Sequence, residues 1–111
     1  MLKPEDEADI KSYLLKLDNA TVEFPFTRTL GVYSVNGVPF AYLETGRSLL
    51  ELSLRIDHEL AKLLRSKYEE VSYARKLDKR IWSTLTLSGQ LERDEILALI
   101  DHSYQMALVA D

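Results

Sequence analysis

Apolar and polar positions alternate most regularly near the middle of the chain, where Leu50, Leu52, Leu54 and Ile56 are separated by Glu51, Ser53 and Arg55. A period of two puts the four apolar side chains on one face of a strand and the three polar ones on the other. Upstream, Gly31–Val35 and Val38–Leu43 flank Asn36-Gly37, the pair best able to supply the two positive φ angles of a type I′ turn, and a hairpin is predicted there. Pro39 has no N–H to give to a ladder, so its nitrogen is expected to face outward or to lie on a sheet edge. Thr45-Gly46-Arg47 turns the chain into the third strand. Downstream, Val71–Leu77 reads as a short strand. Trp82–Leu87 reads as the last one, with Ser83, Leu85 and Leu87 on one face and Trp82, Thr84 and Thr86 on the other.

Helical periodicity appears in three places. From Pro4 to Leu17, Ile10, Leu14 and Leu17 form an apolar stripe with Tyr13 beside it. Pro4 suits the first helical position, and Glu5, Asp6 and Glu7 suit the positive end of the helix dipole. Asp18-Asn19 ends this helix, and Phe24-Pro25-Phe26 leads on, with Phe24 held extended by the proline after it. Asp57 is placed to cap a helix from His58 to Tyr68, whose apolar side is Leu60, Ala61, Leu63 and Leu64. After the Ser88-Gly89 turn, a helix from Glu92 to Val109 carries Ile96, Leu99, Ile100, Ser103 and Ala107 along one face, with Asp94 and Glu95 in its first turn. The order is α-β-β-β-α-β-β-α. Runs of strands separated by few helices predict a two-layer α+β domain with an antiparallel sheet, one domain over residues 1–111.

Composition agrees with this reading. A chain of 111 residues with 46% apolar and 29% charged residues resembles an ordinary globular domain, able to bury about two-thirds of the surface it exposes when unfolded. The longest apolar runs fall far short of the roughly 20 residues that span a bilayer, so no membrane association is expected. The acidic opening Met1-Leu2-Lys3-Pro4-Glu5-Asp6-Glu7 lacks the basic start and apolar centre of a signal peptide, and a cytoplasmic location is expected. The absence of cysteine excludes disulfides, thiolate metal sites and thiol nucleophiles.

The chemistry-bearing residues do not assemble into a catalytic pattern. His58 and His102 lie far apart in sequence with no ligand of matching spacing, and they read as surface or boundary residues. Glu5, Glu7 and Asp9, and likewise Glu92, Asp94 and Glu95, sit in predicted first turns, where carboxylates stabilise the helix dipole. No phosphate-cradling glycine motif or nucleophile elbow occurs. A noncatalytic domain with no metal and no cofactor is therefore expected. The segment Arg75-Lys76-Leu77-Asp78-Lys79-Arg80-Ile81-Trp82 differs from the rest: four cations against Asp78 make a local surplus of three, which leaves the remainder of the chain at −7 within a total of −4. A cationic loop beside an aromatic ring can hold phosphates while the ring stacks on a base or supports an arginine, so Arg75, Lys76, Lys79, Arg80 and Trp82 are the candidate nucleic-acid contacts. The bland alternative is a solvated loop with Trp82 packed against the sheet.

Several segments taken together resemble the MmcQ/YjbR family of small bacterial proteins, from about Phe24 to Ala107. They are Phe24-Pro25-Phe26; Val32–Gly37 followed by Phe40-Ala41; Leu52–Asp57; Lys79–Thr84; and Leu99–Tyr104. The resemblance implies an α-β(3)-α-β(2)-α domain related in shape to secretion-chaperone and frataxin-like folds. It also implies a "double wing" mode of DNA binding with no reaction. On this resemblance Lys79, Arg80 and Trp82 match the family's lysine, arginine and tryptophan. Val38-Pro39 stands where members commonly carry a lysine after the hairpin glycine, and Ile81 where a histidine often precedes the tryptophan. The leading expectation is a nucleic-acid-binding module whose binding is weak and salt-dependent. The second is a protein-interaction adaptor that uses an exposed sheet or helix face and forms a homodimer, and a metal-handling role is third.

Overall fold

A computed structural model describes residues 4–110, with helices α1 (Pro4–Lys16), α2 (His58–Lys67) and α3 (Arg93–Leu108). Met1, Leu2 and Lys3 of the acidic opening lie outside the described residues, as does the side chain of Glu5 with its predicted dipole role. The strands are β1 (Ala20–Glu23), β2 (Leu30–Val35), β3 (Val38–Glu44), β4 (Glu51–Arg55), β5 (Val71–Tyr73) and β6 (Trp82–Thr86). They form one sheet in the order β1-β2-β3-β4-β6-β5, antiparallel throughout. The predicted fold class is the one observed, with one addition. β1 pairs with β2 at the sheet edge, and its sequence Ala-Thr-Val-Glu carries too little apolar signal to announce itself. Asn19, at φ 62, makes the left-handed turn that separates it from α1.

The helices cover one face of the sheet. Alternation drives Leu52, Leu54 and Ile56 into the core at 1% exposure or less, and the cross-strand partners of Leu52 and Leu54, namely Leu43, Ala41, Leu85 and Ser83, face the same way. α3 lies across β3 and β4 and contributes Ile96, Ile100 and Tyr104, while Ile10 and Leu14 of α1 close the core on the β1 side. Asp57 caps α2 as expected, its carboxylate accepting from the N–H groups of Glu59 and Leu60 at 3.2 Å.

Pro39 is not on a sheet edge. It sits in central strand β3 at a register shift against β2, where Ser34 faces Pro39 but Tyr33 faces Ala41. Such a bulge tolerates a missing donor. The β3–β4 ladder ends at Ala41 and Leu54, and the Phe40 carbonyl and the Arg55 N–H lie just beyond it. Buried Ser103 of α3 satisfies both: its hydroxyl donates to the Phe40 carbonyl and accepts from the Arg55 N–H at 2.8 Å. A serine on an otherwise apolar helix face is thus the stitch between helix and sheet.

The first hairpin turns as predicted, with Asn36 at φ 51 and Gly37 at φ 80. A Cβ on Gly37 would meet nothing within 4 Å, so the cost of a side chain there is purely conformational. Gly37→Val is expected to lower stability by about 1 kcal/mol or more, read as a shift in the urea midpoint at unchanged slope. An unshifted midpoint would mean that the turn relaxes to another type.

Candidate functional site

Three helices suffice to cover one face of a six-stranded sheet, and the other face stays open. Its residues follow from the strand registers. One row crosses the sheet as Val32, Tyr42, Ser53, Thr84 and Ser72, and the next as Leu30, Glu44, Glu51 and Thr86. A groove of about 650 Å³ lies over these rows. Phe26 and Thr27, from the connection between β1 and β2, form one wall. Ala74, Arg75, Lys76 and Leu77, from the connection between β5 and β6, form the other.

The second wall exists because the basic segment is not a strand. β5 ends at Tyr73, and buried Ala74 anchors the turn out of the sheet. The chain then reverses at Asp78, whose carbonyl accepts from the N–H groups of Ile81 and Trp82 at 3.0 and 2.8 Å and whose carboxylate accepts from the Arg80 N–H at 2.9 Å. The expected strand over residues 71–77 is therefore cut to Val71–Tyr73 by this turn, which frees Arg75 and Lys76 to project from a loop.

The five candidate residues do not form a single face. Arg75 and Lys76 are exposed on the groove wall, and among the described residues neither joins an ion pair. Lys79 and Arg80 are exposed beyond the turn and do not line the groove. The Arg80 guanidinium is engaged by Asp78 at 3.0 and 3.2 Å, and this hydrogen bonding holds the Asp78 carboxyl below the usual aspartate range. Trp82 is 6% exposed. The Arg55 guanidinium lies 4.9 Å from its ring centre, and the Tyr42 ring stands T-shaped to it at 5.1 Å between centres. A ring enclosed in this way supports its neighbours and offers no face to a base, which corrects the stacking half of the Trp82 expectation.

Arg55 is itself a consequential part of the open face. Half-buried, it donates from Nε to the Pro39 carbonyl at 2.7 Å, and burial draws its pKa down from the usual arginine value. Nearer the groove, Glu44 and Glu51 stand directly opposite each other on β3 and β4. The Glu44 carboxyl is held below its ordinary range by hydrogen bonds from the Thr29 side chain and the Gly46 N–H, the latter at 2.8 Å. Glu51 has Arg47 at 3.8 Å. Ser53 and Thr84 share a hydroxyl hydrogen bond of 2.8 Å between these carboxylates and the Arg55–Trp82 end. The groove therefore carries cations on its wall and rim and carboxylates on its floor.

Sequence reasoning did not single out Phe26, Tyr42, Glu44, Arg47, Glu51 or Ser53. The usable signal was in the non-core positions of the strands, where an aromatic, hydroxyls and charges recur opposite the apolar set. The histidines stay apart from the groove: the His102 ring accepts from the Asp57 N–H through Nε2 at 3.1 Å, which places its proton on Nδ1, and His58 is exposed. Of the acidic first turns, Asp9 is engaged by Arg93 across the α1–α3 contact at 3.0 Å and Glu7 by Lys11 at 2.9 Å. Among the described residues no three potential ligands converge on a metal position, and no helix is long and apolar enough to cross a membrane.

Comparison with known proteins places this geometry in context. The YjbR family model matches residues 15–106. The YjbR proteins of two strains of Escherichia coli are 39% identical over 74 residues, 67% of this chain, and the match spans 63% of their own length. A Deinococcus radiodurans protein with a DUF419 domain superposes with a TM-score of 0.87 at 25% identity, covering 93% of this chain and 78% of that one. A Pseudomonas syringae protein shares the fold at a TM-score of 0.76 and 22% identity, over 96% of this chain and 99% of the other.

Proposed function

The chain belongs to the YjbR family, and from that premise we propose that it is a noncatalytic, cytoplasmic nucleic-acid-binding domain that holds phosphates through the loop between β5 and β6. The observation that carries this reading is the placement of Arg75 and Lys76, two exposed cations outside any ion pair among the described residues, side by side on the wall of an open groove. Counterion release from the nucleic acid makes such contacts favourable at low salt, and the net charge of −4 keeps the overall affinity weak. Lys79 adds to the same field from beyond the turn. Arg80 contributes less, since its guanidinium already serves Asp78.

The test is a fluorescence-anisotropy titration of labelled oligonucleotides over a range of salt. Replacing Arg75 and Lys76 by Ala together is expected to reduce the slope of log affinity against log salt by about 1.4 to 1.8. Both side chains are exposed, so the thermal midpoint should stay nearly unchanged. Arg80→Ala is expected to change the slope by less than Arg75→Ala or Lys76→Ala alone. Absence of binding at low salt would overturn the reading. It would bring forward an adaptor that docks a protein partner or a second copy through its helices, where Leu15, Leu63 and Leu108 are exposed.

A further inference from the structure

The loop cations account for phosphates and say nothing about the groove they border. Its floor is a sheet face with Tyr42 half-buried, its ring T-shaped to Trp82 at an interplanar angle of 79°. At its rim Phe26 is 69% exposed, so its ring is open to a ligand in the groove. The volume of about 650 Å³ lies within the range of sites that enclose small ligands, about 300–1,000 Å³. A duplex stacks its bases on one another and presents only their edges, so ring faces become available in an unpaired strand alone.

The charges inside the groove set an orientation. Glu44 and Glu51 occupy directly opposed positions on neighbouring strands, which concentrates negative charge on the groove floor. They would repel a phosphate lying on the floor. Arg75 and Lys76 on the wall, with Arg47 at the groove margin, attract one. The sugar-phosphate chain is thereby directed along the wall and the bases inward, towards rings and hydrogen-bond acceptors.

Resting on the nucleic-acid reading, we propose that the groove is a site for unpaired nucleotides, with base faces against Phe26 and Tyr42 and phosphates along Arg75, Lys76 and Arg47. The experiment compares a labelled single strand with a duplex of the same length at low salt, for the native chain and for Phe26→Ala. The single strand is expected to bind more tightly, and Phe26→Ala to weaken its binding about 5- to 150-fold, the equivalent of one lost base–aromatic stack. The thermal midpoint of the variant should match the native chain, since the ring is mostly in solvent. Equal or tighter binding of the duplex, or no effect of Phe26→Ala while the Arg75 and Lys76 variants still weaken binding, would overturn this inference and leave the nucleic-acid reading standing. If neither strand form binds, both fall.

Discussion

Glu70→Ala is expected to lower stability by about 1–3 kcal/mol at neutral pH, more than a glutamate between a helix and a short strand suggests. The side chain is 5% exposed, and its carboxylate accepts four hydrogen bonds from the loop that leads into α3. Ser88 donates from its N–H at 2.9 Å and its hydroxyl at 2.6 Å, Leu91 from its N–H at 2.6 Å, and Gln90 from its N–H at 3.3 Å. The Gln90 side chain accepts in return from the Glu70 N–H at 3.0 Å, and the Glu70 carbonyl accepts from Thr86 at 2.8 Å. Truncation leaves three backbone donors without their partner; Ser88 and Gln90 are exposed and can turn to water, so most of the cost arises at the buried Leu91 N–H. Glu70→Gln should fall between, because its one oxygen can keep the Ser88 group only by turning its NH₂ towards the Leu91 N–H.

The same carboxylate gives stability a pH dependence of defined sign. Burial pushes its pKa up, but the hydrogen bonds from Ser88, Leu91 and Gln90 outweigh burial and hold it below the ordinary glutamate range. A depressed folded value means that the unfolded chain binds the proton more tightly. The contribution is therefore whole above the unfolded value of about 4.3 and is lost as pH falls through the folded one. Urea denaturation at neutral pH and in steps down to about pH 3 should show the gap between native chain and Glu70→Ala narrowing on acidification. A gap that stays constant would show that the carboxylate's charge is not what secures the loop.

How much of this was legible in the sequence depended on whether a residue's role repeats along the chain. Alternation is a repeated signal, and it located β4 and the buried side of β6 because Leu52, Leu54, Ser83 and Leu85 all answer to one sheet face. Turn chemistry is local, and Asn36-Gly37 announced itself. Glu70 does neither. The three residues that hold its carboxylate lie 18 to 21 residues away, so nothing near it in sequence reveals that it is buried. β1 escaped for a related reason, since an edge strand with one buried side needs only Ala20 and Val22 to be apolar. The groove was hidden by a question of coverage. The polar positions of β4 and β6 were placed on the face opposite the apolar set, yet only the assembled sheet shows that they lie together between two walls. The basic segment was visible as composition, but its division into a groove-facing pair and an outer pair depends on the Asp78 turn.

Trp82 is where the stacking role expected from the sequence gives way to the packing role weighed beside it, and its substitution should have the other large effect. Trp82→Ala is expected to lower stability by about 3–5 kcal/mol, the usual cost of emptying a buried aromatic position. The ring is 6% exposed, edge-to-face with Tyr42, and covers the Arg55 guanidinium that in turn holds the Pro39 carbonyl. Its removal therefore opens a cavity and also deprives a half-buried cation of its aromatic partner. Trp82→Phe keeps an aromatic edge and should cost less, leaving enough folded protein for binding to be measured. In that variant the affinity of the folded protein for a single strand is expected to stay close to native, because the ring acts by positioning Tyr42 and Arg55 and not by touching a base. The comparison with Phe26→Ala is then decisive. A ring that stacks on nucleotides affects binding without stability, and a ring that supports the sheet affects stability first. Should Trp82→Phe leave the urea midpoint untouched and yet abolish binding, the two residues would have to exchange roles, with the base contact at the Arg55 end of the open face.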